Sequence, residues 1–376
     1  MAFISTGVKD DSPHDSLASA SQARLIWRRF TRHKLALVGL LVIGFFYLIA
    51  LFAEAIAPYS PSETSARSVY HPPQIPELFI NDADGLRVFP HAPVFETERD
   101  PASLRMVYTE SADILPIGFF TRGEPYRLWG IIPGNIKLVA SLDPDRPLYI
   151  LGTDRLGRDM FSRLVHGARV TMTIGLVGVA ISLVLGVFLG GISGYYGGRI
   201  DWFVQRLIEY ILSLPTIPLW MALAAAMPRN WPPTWQYFTI TCIVSLIGWT
   251  ELARVVRGRF LAMRDDSFVV AARLDGCSER RVIFKHMLPS LGSHIIASVT
   301  LAVPMMIIAE TSLSFLGLGL QPPAISWGVL LQEAQNIRTI AQAPWLFSPA
   351  IMIIVAVLCF NFVGDGLRDA ADPYAT

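Results

Sequence analysis

Apolar positions along the chain gather into six runs of about 20 residues, at 35–57, 171–195, 203–227, 236–256, 293–318 and 345–367. At 1.5 Å per residue a helix of that length covers roughly 30 Å, the hydrocarbon thickness of a bilayer. Six helical crossings are therefore predicted. The first run follows a basic segment but continues well past the length of a signal peptide and lacks a small-residue cleavage site. It reads as an uncleaved anchor. Pro215 and Pro218 fall inside the third run and predict a kink there. Residues 1–23, rich in Ser, Ala and Asp without helical periodicity, read as a disordered tail.

The pattern changes between the first and second runs. Residues 58–170 carry a series of prolines, from Pro72 and Pro73 to Pro144 and Pro147, between short apolar stretches. Short strands broken by turns are predicted, forming a small domain inserted between two crossings. By count, residues 58–150 hold 12 acidic and 8 basic side chains, so the insertion is mildly acidic. Its last part has alternating charge and small residues: Gly152, Thr153, Asp154, Gly157, Arg158 and Asp159, then Arg163 and Arg169. A short polar helix on the outer interface is expected, its charges either a solvated face or a lid at the pore entrance. Gly197 and Gly198 supply the backbone freedom for a tight turn after the second run.

Charge placement sets the orientation. Arg24, Arg28, Arg29, Arg32 and Lys34 precede the first run, and eight further basic residues, from Arg254 to Lys285, cluster between the fourth and fifth. The loops at 228–235 and 319–343 carry only Arg229 and Arg338. The positive-inside rule puts both termini and residues 258–290 in the cytosol, and an even number of crossings agrees. The expected organisation is a cytosolic tail (1–34), a first crossing (35–57) and an extracytoplasmic domain with its interfacial helix (58–170). A five-helix core (171–367) with cytosolic loop 258–290 follows, then a cytosolic C-terminus (368–376). With 52% hydrophobic and 16% charged residues, the chain is too apolar for a soluble domain. The fold class is an all-α polytopic membrane protein with a small β-containing insertion. A formal net charge of +1 says nothing about nucleic acid, because the charges are divided by side of the membrane. Cys242, Cys277 and Cys359 form no C-x-x-C pair and imply neither a disulfide framework nor a zinc site.

The cytosolic loop has its own local code. Asp266 or Ser267 can cap a helix running to about Asp275, which Gly276 can end in the left-handed conformation. Ser278 can cap a second helix, residues 279–287, with Ile283 and Met287 on one face and Arg281 and Lys285 on another. Pro289 blocks its continuation. Such a pair can insert into a partner's groove or rest as a linker on lipid headgroups. Catalytic signatures are missing. None of Lys9, Lys34, Lys137 and Lys285 follows a glycine, so a phosphate cradle is excluded, as are His-Glu-x-x-His and Gly-x-Ser-x-Gly. Within the runs, Glu310 and Asn361 are the best candidates for lining a solute pathway. A charge at mid-membrane costs roughly 2.5–3.5 kcal/mol unless it meets a partner or water. For Glu310, a buried helix–helix hydrogen bond is an equal alternative.

Ala271-Ala272, Gly276 and Leu288-Pro289, with Asp275, Ile283 and His286 between them, resemble the coupling segment of permease subunits of bacterial binding-protein-dependent ABC importers. Gly152-Thr153-Asp154 with Gly157-Arg158-Asp159 is similar to a motif of the dipeptide and oligopeptide branch, specifically its second permease. Glu310 through Gly319, Pro322-Pro323, Ser326-Trp327-Gly328, Gly364 through Asp369 and Asp372-Pro373 look like the same branch. The likeness covers about 151–373 and is loose over 58–150. It departs at Val270, where the family usually has a glutamate whose ionic contact must be lost or come from elsewhere, such as Asp266 or Asp275. The resemblance implies a multi-pass subunit of the bacterial inner membrane with no cofactor of its own. Its expected partners are a homologous permease, two cytosolic ATPases that bind ATP and Mg, and an extracytoplasmic binding protein. From the residues alone, a membrane scaffold or receptor and an ATP-independent channel remain alternatives.

Overall fold

The computed structural model describes residues 22–82, 85–99, 101, 106–228, 230–336 and 341–371. Residues 1–21 of the expected tail, Arg229, Arg338 and Asp372-Pro373 lie outside the described residues. Residues 22 and 23, assigned to that tail, instead begin helix α1 (Gln22–Phe30). Helix α2 (Lys34–Leu51) follows, its first turn capped by His33 Nδ1, which accepts from Ala36 N–H at 3.1 Å. Ala36, Gly39, Ile43, Phe46 and Ala50 recur every three or four residues along α2 and are buried. Leu41, Phe45 and Leu48 are exposed on the remaining surface. One stripe of α2 thus packs on protein and the rest is left for lipid. The first run ends in a break at Phe52 and a single turn, α3 (Ala53–Ile56).

Next comes the insertion, an antiparallel meander with strand order β1 (Glu77–Asp82), β2 (Gly85–Arg99), β3 (Met106–Leu128) and β4 (Ile132–Ser141). Strand β3 serves two partners in succession. Met106 to Pro116 pair with β2, and Ile117 to Leu128 pair with β4. Ala92, Leu115, Ile117 and Leu148 form a small core where the pairing changes over. The expected strand-bearing insertion is present.

Beside that core His71 is buried, its ring centroid 4.8 Å from Tyr108, 5.1 Å from Tyr149 and 5.4 Å from Phe95. Its Nδ1–H donates to the Pro72 carbonyl at 2.8 Å. Burial pushes the imidazole down from 6.5 to about 4, against the Pro72 bond, which favours the protonated ring. An unfolded chain takes up this proton near pH 6.5, whereas the folded chain resists until about pH 4. Stability present above pH 6.5 is therefore lost as pH falls toward 4, by about 3 kcal/mol at most. Thermal unfolding of the detergent-solubilised chain across that range checks this. His71→Phe should flatten the pH dependence, and an unchanged profile would refute it.

Helix α4 (Met160–Tyr196) is continuous for 37 residues, about 55 Å, and so extends beyond the hydrocarbon. The short polar helix expected before the second run does not form. Residues 151–159 are an irregular loop and Arg163 and Arg169 belong to α4 itself. Gly197, at φ 65°, turns the chain into α5 (Gly198–Ser213). Helix α6 (Thr216–Ala225) then leaves at 86°. The third run is therefore broken rather than kinked. Pro215 has no N–H to continue the α5 ladder and sits in extended conformation at the break. Pro218, in the first turn of α6, disrupts nothing.

Helix α7 (Pro233–Met263) packs along α4 through a stripe of glycines. A Cβ on Gly186 would lie 2.9 Å from Leu252, and one on Gly194 would lie 2.6 Å from Phe260 Cβ and 2.7 Å from the Arg257 carbonyl. Gly190 lies between them against Ala253. Residues at i, i+4 and i+8 share a face, so their lack of side chains lets the two backbones meet. Sequence reading passed over this signal. After α8 (Ser267–Leu274) and a connecting segment come α9 (Gly292–Phe315), α10 (Trp327–Glu333) and α11 (Ser348–Ala371). Helix α10 lies within the 319–343 segment expected as a loop. Trp327 is buried, its indole N–H donating to the Leu164 carbonyl at 3.0 Å and its backbone N–H to Thr171 Oγ1 at 3.1 Å. Among the described residues, five helices are long and apolar enough to cross a membrane, or six if α5 and α6 count as one broken span.

Candidate functional site

Three regions are candidates, and the sequence-predicted coupling and pore-entrance residues fall in the first and the third. The first is the end of the α4–α7 pair, where residues 267–290 fold back. Helix α8 ends in a Schellman motif. Cys277 N–H donates to the Ala272 carbonyl at 3.1 Å and Gly276 N–H to the Arg273 carbonyl at 3.0 Å, with Gly276 at φ 74°. Asp266 and Ser278 occupy the N-cap positions, but neither side chain makes a capping hydrogen bond. Val269, Ala272, Val282 and Met287 are buried against Tyr195, Val256 and Phe260. Ile283 packs partly on the same cluster, and Leu288 and His286 are half-buried. Ala271, Asp275, Gly276 and Pro289 are exposed. So are Phe268, Val270, Leu274 and Phe284, four apolar side chains on the outer side of the segment.

The second helix of this pair departs from expectation. Only Glu279–Arg281 is α-helical; Val282–Met287 widens into a π-turn that leads into Leu288–Ser290. Leu288 N–H donates to the Ile283 carbonyl, five residues back. Proline explains this. Its ring would strike the carbonyl four residues earlier, and a widened turn moves that carbonyl aside. The segment therefore continues through Pro289 and bends at Leu291, instead of stopping.

A cleft of roughly 880 Å³ between α4, α6, α7 and α9 is the second region. Its walls combine Ser182, Thr250, Ser298, Met305 and Met306 with the indole of Trp220, and charged groups come from Glu251, Arg254 and Arg368. Trp220 Nε1 makes no hydrogen bond among the described residues. Glu310 and Asn361 do not line this cleft. Glu310 is fully buried, its Oε1 accepting from Ser314 Oγ at 2.8 Å and Ser326 Oγ at 2.7 Å. It ties α9 to the start of α10, the hydrogen-bonded alternative of the sequence reading. Asn361 is half-buried on α11. Ser314 at i+4 was a legible clue to the Glu310 arrangement; Ser326 was not.

The third region is the loop before α4, most of which is buried, with Arg155 and Leu156 exposed. Gly152 and Gly157 hold φ of 68° and 71°. A Cβ on Gly152 would sit 2.6 Å from the His71 carbonyl and 2.8 Å from the Trp345 indole nitrogen, so only glycine fits. Thr153 Oγ1 accepts from His71 N–H at 2.8 Å and donates to the Ser68 carbonyl, while its own carbonyl accepts from Trp345 Nε1 at 2.9 Å. Asp154, without solvent exposure, accepts from the backbone N–H groups of Leu156 and Arg158, from Arg158 Nε at 2.7 Å and from Arg163. Arg158 and Arg163 also donate to Glu333 of α10, at 2.8 and 3.2 Å. Asp159 caps α4, accepting from Ser162 N–H at 2.7 Å; burial pushes its carboxyl up to about 6 against the Ser162 bonds. Glu333, a member of this knot, escapes the sequence because it lies 175 positions from Arg158, whereas Arg163 belongs to the charged stretch already singled out before the second run.

Apolar helices of bilayer length, arranged around a solute-sized cleft, define a polytopic membrane protein of the transporter class. The chain belongs to the family of binding-protein-dependent transport system inner membrane components, whose model matches residues 183–375, just over half of it. Residues 21–73 match a second model, the N-terminal transmembrane domain of oligopeptide transport permease C. The chain is 40% identical over 224 residues to the dipeptide transport system permease protein DppC of Bacillus subtilis, covering 59% of this chain and 68% of that one. Its identity with the oligopeptide transport system permease protein OppC of the same organism is 37% over 236 residues, 62% of this chain and 75% of the relative. DppC of Alkalihalophilus pseudofirmus aligns at 29% over 362 residues, 96% of this chain and 93% of its own length. The relatives are named as permeases, not as enzymes.

Proposed function

We propose that this chain is the second permease of an ABC importer for peptides or similar small solutes. It crosses the membrane six times, counting α5 and α6 as one broken span, with both termini in the cytosol and residues 58–159 outside. A homologous permease supplies the other half of the pathway, two cytosolic ATPases bind ATP and Mg, and an extracytoplasmic protein delivers the cargo. Names of the relatives support the substrate class, and the cleft supports passage of a solute of that size.

Residues 267–290 couple the chain to an ATPase. The observation that carries this is the Gly276 turn, which leaves Phe268, Val270, Leu274 and Phe284 exposed at a helix end rich in arginine. Apolar side chains held out on a firmly seated segment suit a partner's groove. Val270, where the family's glutamate is missing, adds to that apolar contact. ATP-driven closure of the ATPases moves the segment and rocks the helices so that the cleft opens to alternate sides.

Gly276→Val tests this reading. A β-branched residue at φ 74° costs about 1–2 kcal/mol, yet open space surrounds the site, so the chain should still insert. Uptake and binding-protein-stimulated ATP hydrolysis are expected to fall roughly tenfold at unchanged membrane abundance. Wild-type uptake in the variant would sink the proposal, as would a wild-type complex that never copurifies with an ATPase.

A further inference from the structure

The insertion is fastened to the membrane end of α2. Trp129, in the turn between β3 and β4, donates its backbone N–H to Glu54 Oε1 at 3.3 Å and its indole N–H to the Leu51 carbonyl at 3.0 Å. Lys137 Nζ donates to the carbonyls of Glu54 and Ala57, each at 2.9 Å. From α4, Arg169 pairs with both oxygens of Glu54 at 2.7 and 2.6 Å, and its guanidinium lies 4.1 Å over the Trp129 ring. These contacts fix the height of the turn relative to α2. The 18 residues of α2 cover about 27 Å, so Leu51 marks the edge of the hydrocarbon.

At that level the turn presents apolar side chains to the outside. Ile131 is 80% exposed, Ile132 60% and Trp129 48%. Leu48, Leu51 and Phe52, on the helix it touches, are exposed as well. A water-facing turn has no use for adjacent exposed isoleucines, and Trp129 holds φ 54°, a conformation that costs an aromatic residue. Tryptophan at a bilayer boundary, by contrast, places its ring among headgroups and its N–H on a polar partner. Arg127, exposed on the same hairpin, can pair with a lipid phosphate.

We infer that the Trp129-Gly130-Ile131-Ile132 turn is seated in the interfacial layer of the bilayer, so that lipid, and not a protein partner, covers its apolar tip. The hairpin then holds the inserted sheet at a set height and tilt over the membrane. This rests on α2 being a membrane span and on none of the proposed partners.

Depth-dependent quenching in proteoliposomes containing the assembled complex tests the seating. Cys242→Ala, Cys277→Ala and Cys359→Ala clear the background, and Ile131→Cys carries an environment-sensitive fluorophore. Asp145→Cys, an exposed position in the loop beyond the other end of β4, is the water-facing control. Headgroup- and shallow-chain spin-labelled lipids should quench the label at 131 at least about twofold more than at 145, with blue-shifted emission. Ile132→Cys should behave like 131, which guards against a probe that disturbs the turn. Unshifted, unquenched emission at both positions would overturn the inference in favour of water. Blue-shifted emission without lipid quenching would overturn it in favour of a protein cover.

Discussion

Asp154→Ala is expected to destabilise the folded chain by about 3–5 kcal/mol, among the largest effects of any single substitution here. The reason is what the change leaves behind. Arg163, 1% exposed, would face Glu333 alone at 3.2 Å, and Arg158 would lose the bond that orients it. The N–H groups of Leu156 and Arg158 would lose their shared acceptor. An uncompensated buried guanidinium costs more than the pair ever contributed, so the loss exceeds what an exposed salt bridge is worth. Asp154→Asn, which keeps an acceptor but no charge, should fall between. Asp154→Leu combined with Arg163→Met removes both charges and should recover part of the stability. Thermal unfolding of the detergent-solubilised chain measures all three. A double variant less stable than Asp154→Ala would mean that the knot is held by its hydrogen bonds rather than by charge balance.

The same knot shows where sequence reading stops. Gly152, Thr153, Asp154, Gly157, Arg158 and Asp159 were recognisable as a motif, but alternating charge within ten residues is equally what a solvated turn requires. Burial is decided by Glu333 and Trp345, which arrive from far along the chain. The long apolar runs were legible because lipid imposes length and composition on each helix by itself. Gly276 was legible too, since a Schellman turn is written in neighbouring residues. The break at Pro215 was foreseen in position but not in form, and the stop expected at Pro289 does not occur, because the helix widens before the proline and bends at Leu291. Whether a proline kinks, breaks or widens a helix depends on whether surrounding packing holds the chain straight. Glu310 followed the same logic: its charge marked it in sequence, but a serine brought by the 316–326 loop gives it a hydrogen-bond partner away from the cleft.

Helix α4 joins these pieces. It starts in the buried knot, carries the Gly186, Gly190 and Gly194 stripe along α7, and has Tyr195 in its last turn, on which the 267–290 segment rests. On the proposed mechanism, a push on that segment reaches the outer knot along one rod of about 55 Å. Such transmission needs α4 and α7 to move together, and at Gly190 their contact is backbone against backbone.

Gly190→Leu should therefore be among the most damaging changes in the membrane region. The Cβ of any residue at 190 would collide with the carbonyl and Cα of Ala253, atoms that cannot rotate away. The helices must separate along their length, opening voids beside Leu252 and Phe260 that the added side chain does not fill. A cost of about 3 kcal/mol or more is expected, seen as loss of monodisperse protein on detergent extraction. Gly44→Leu is the control. It makes the same change in an α2 span, but no atom lies within 4 Å of its added Cβ and the site is exposed. Leucine also favours a helix by up to about 1 kcal/mol over glycine, so Gly44→Leu should be neutral or mildly stabilising. Equal yields and melting temperatures for the two variants would show that α4 and α7 are not in backbone contact at this position.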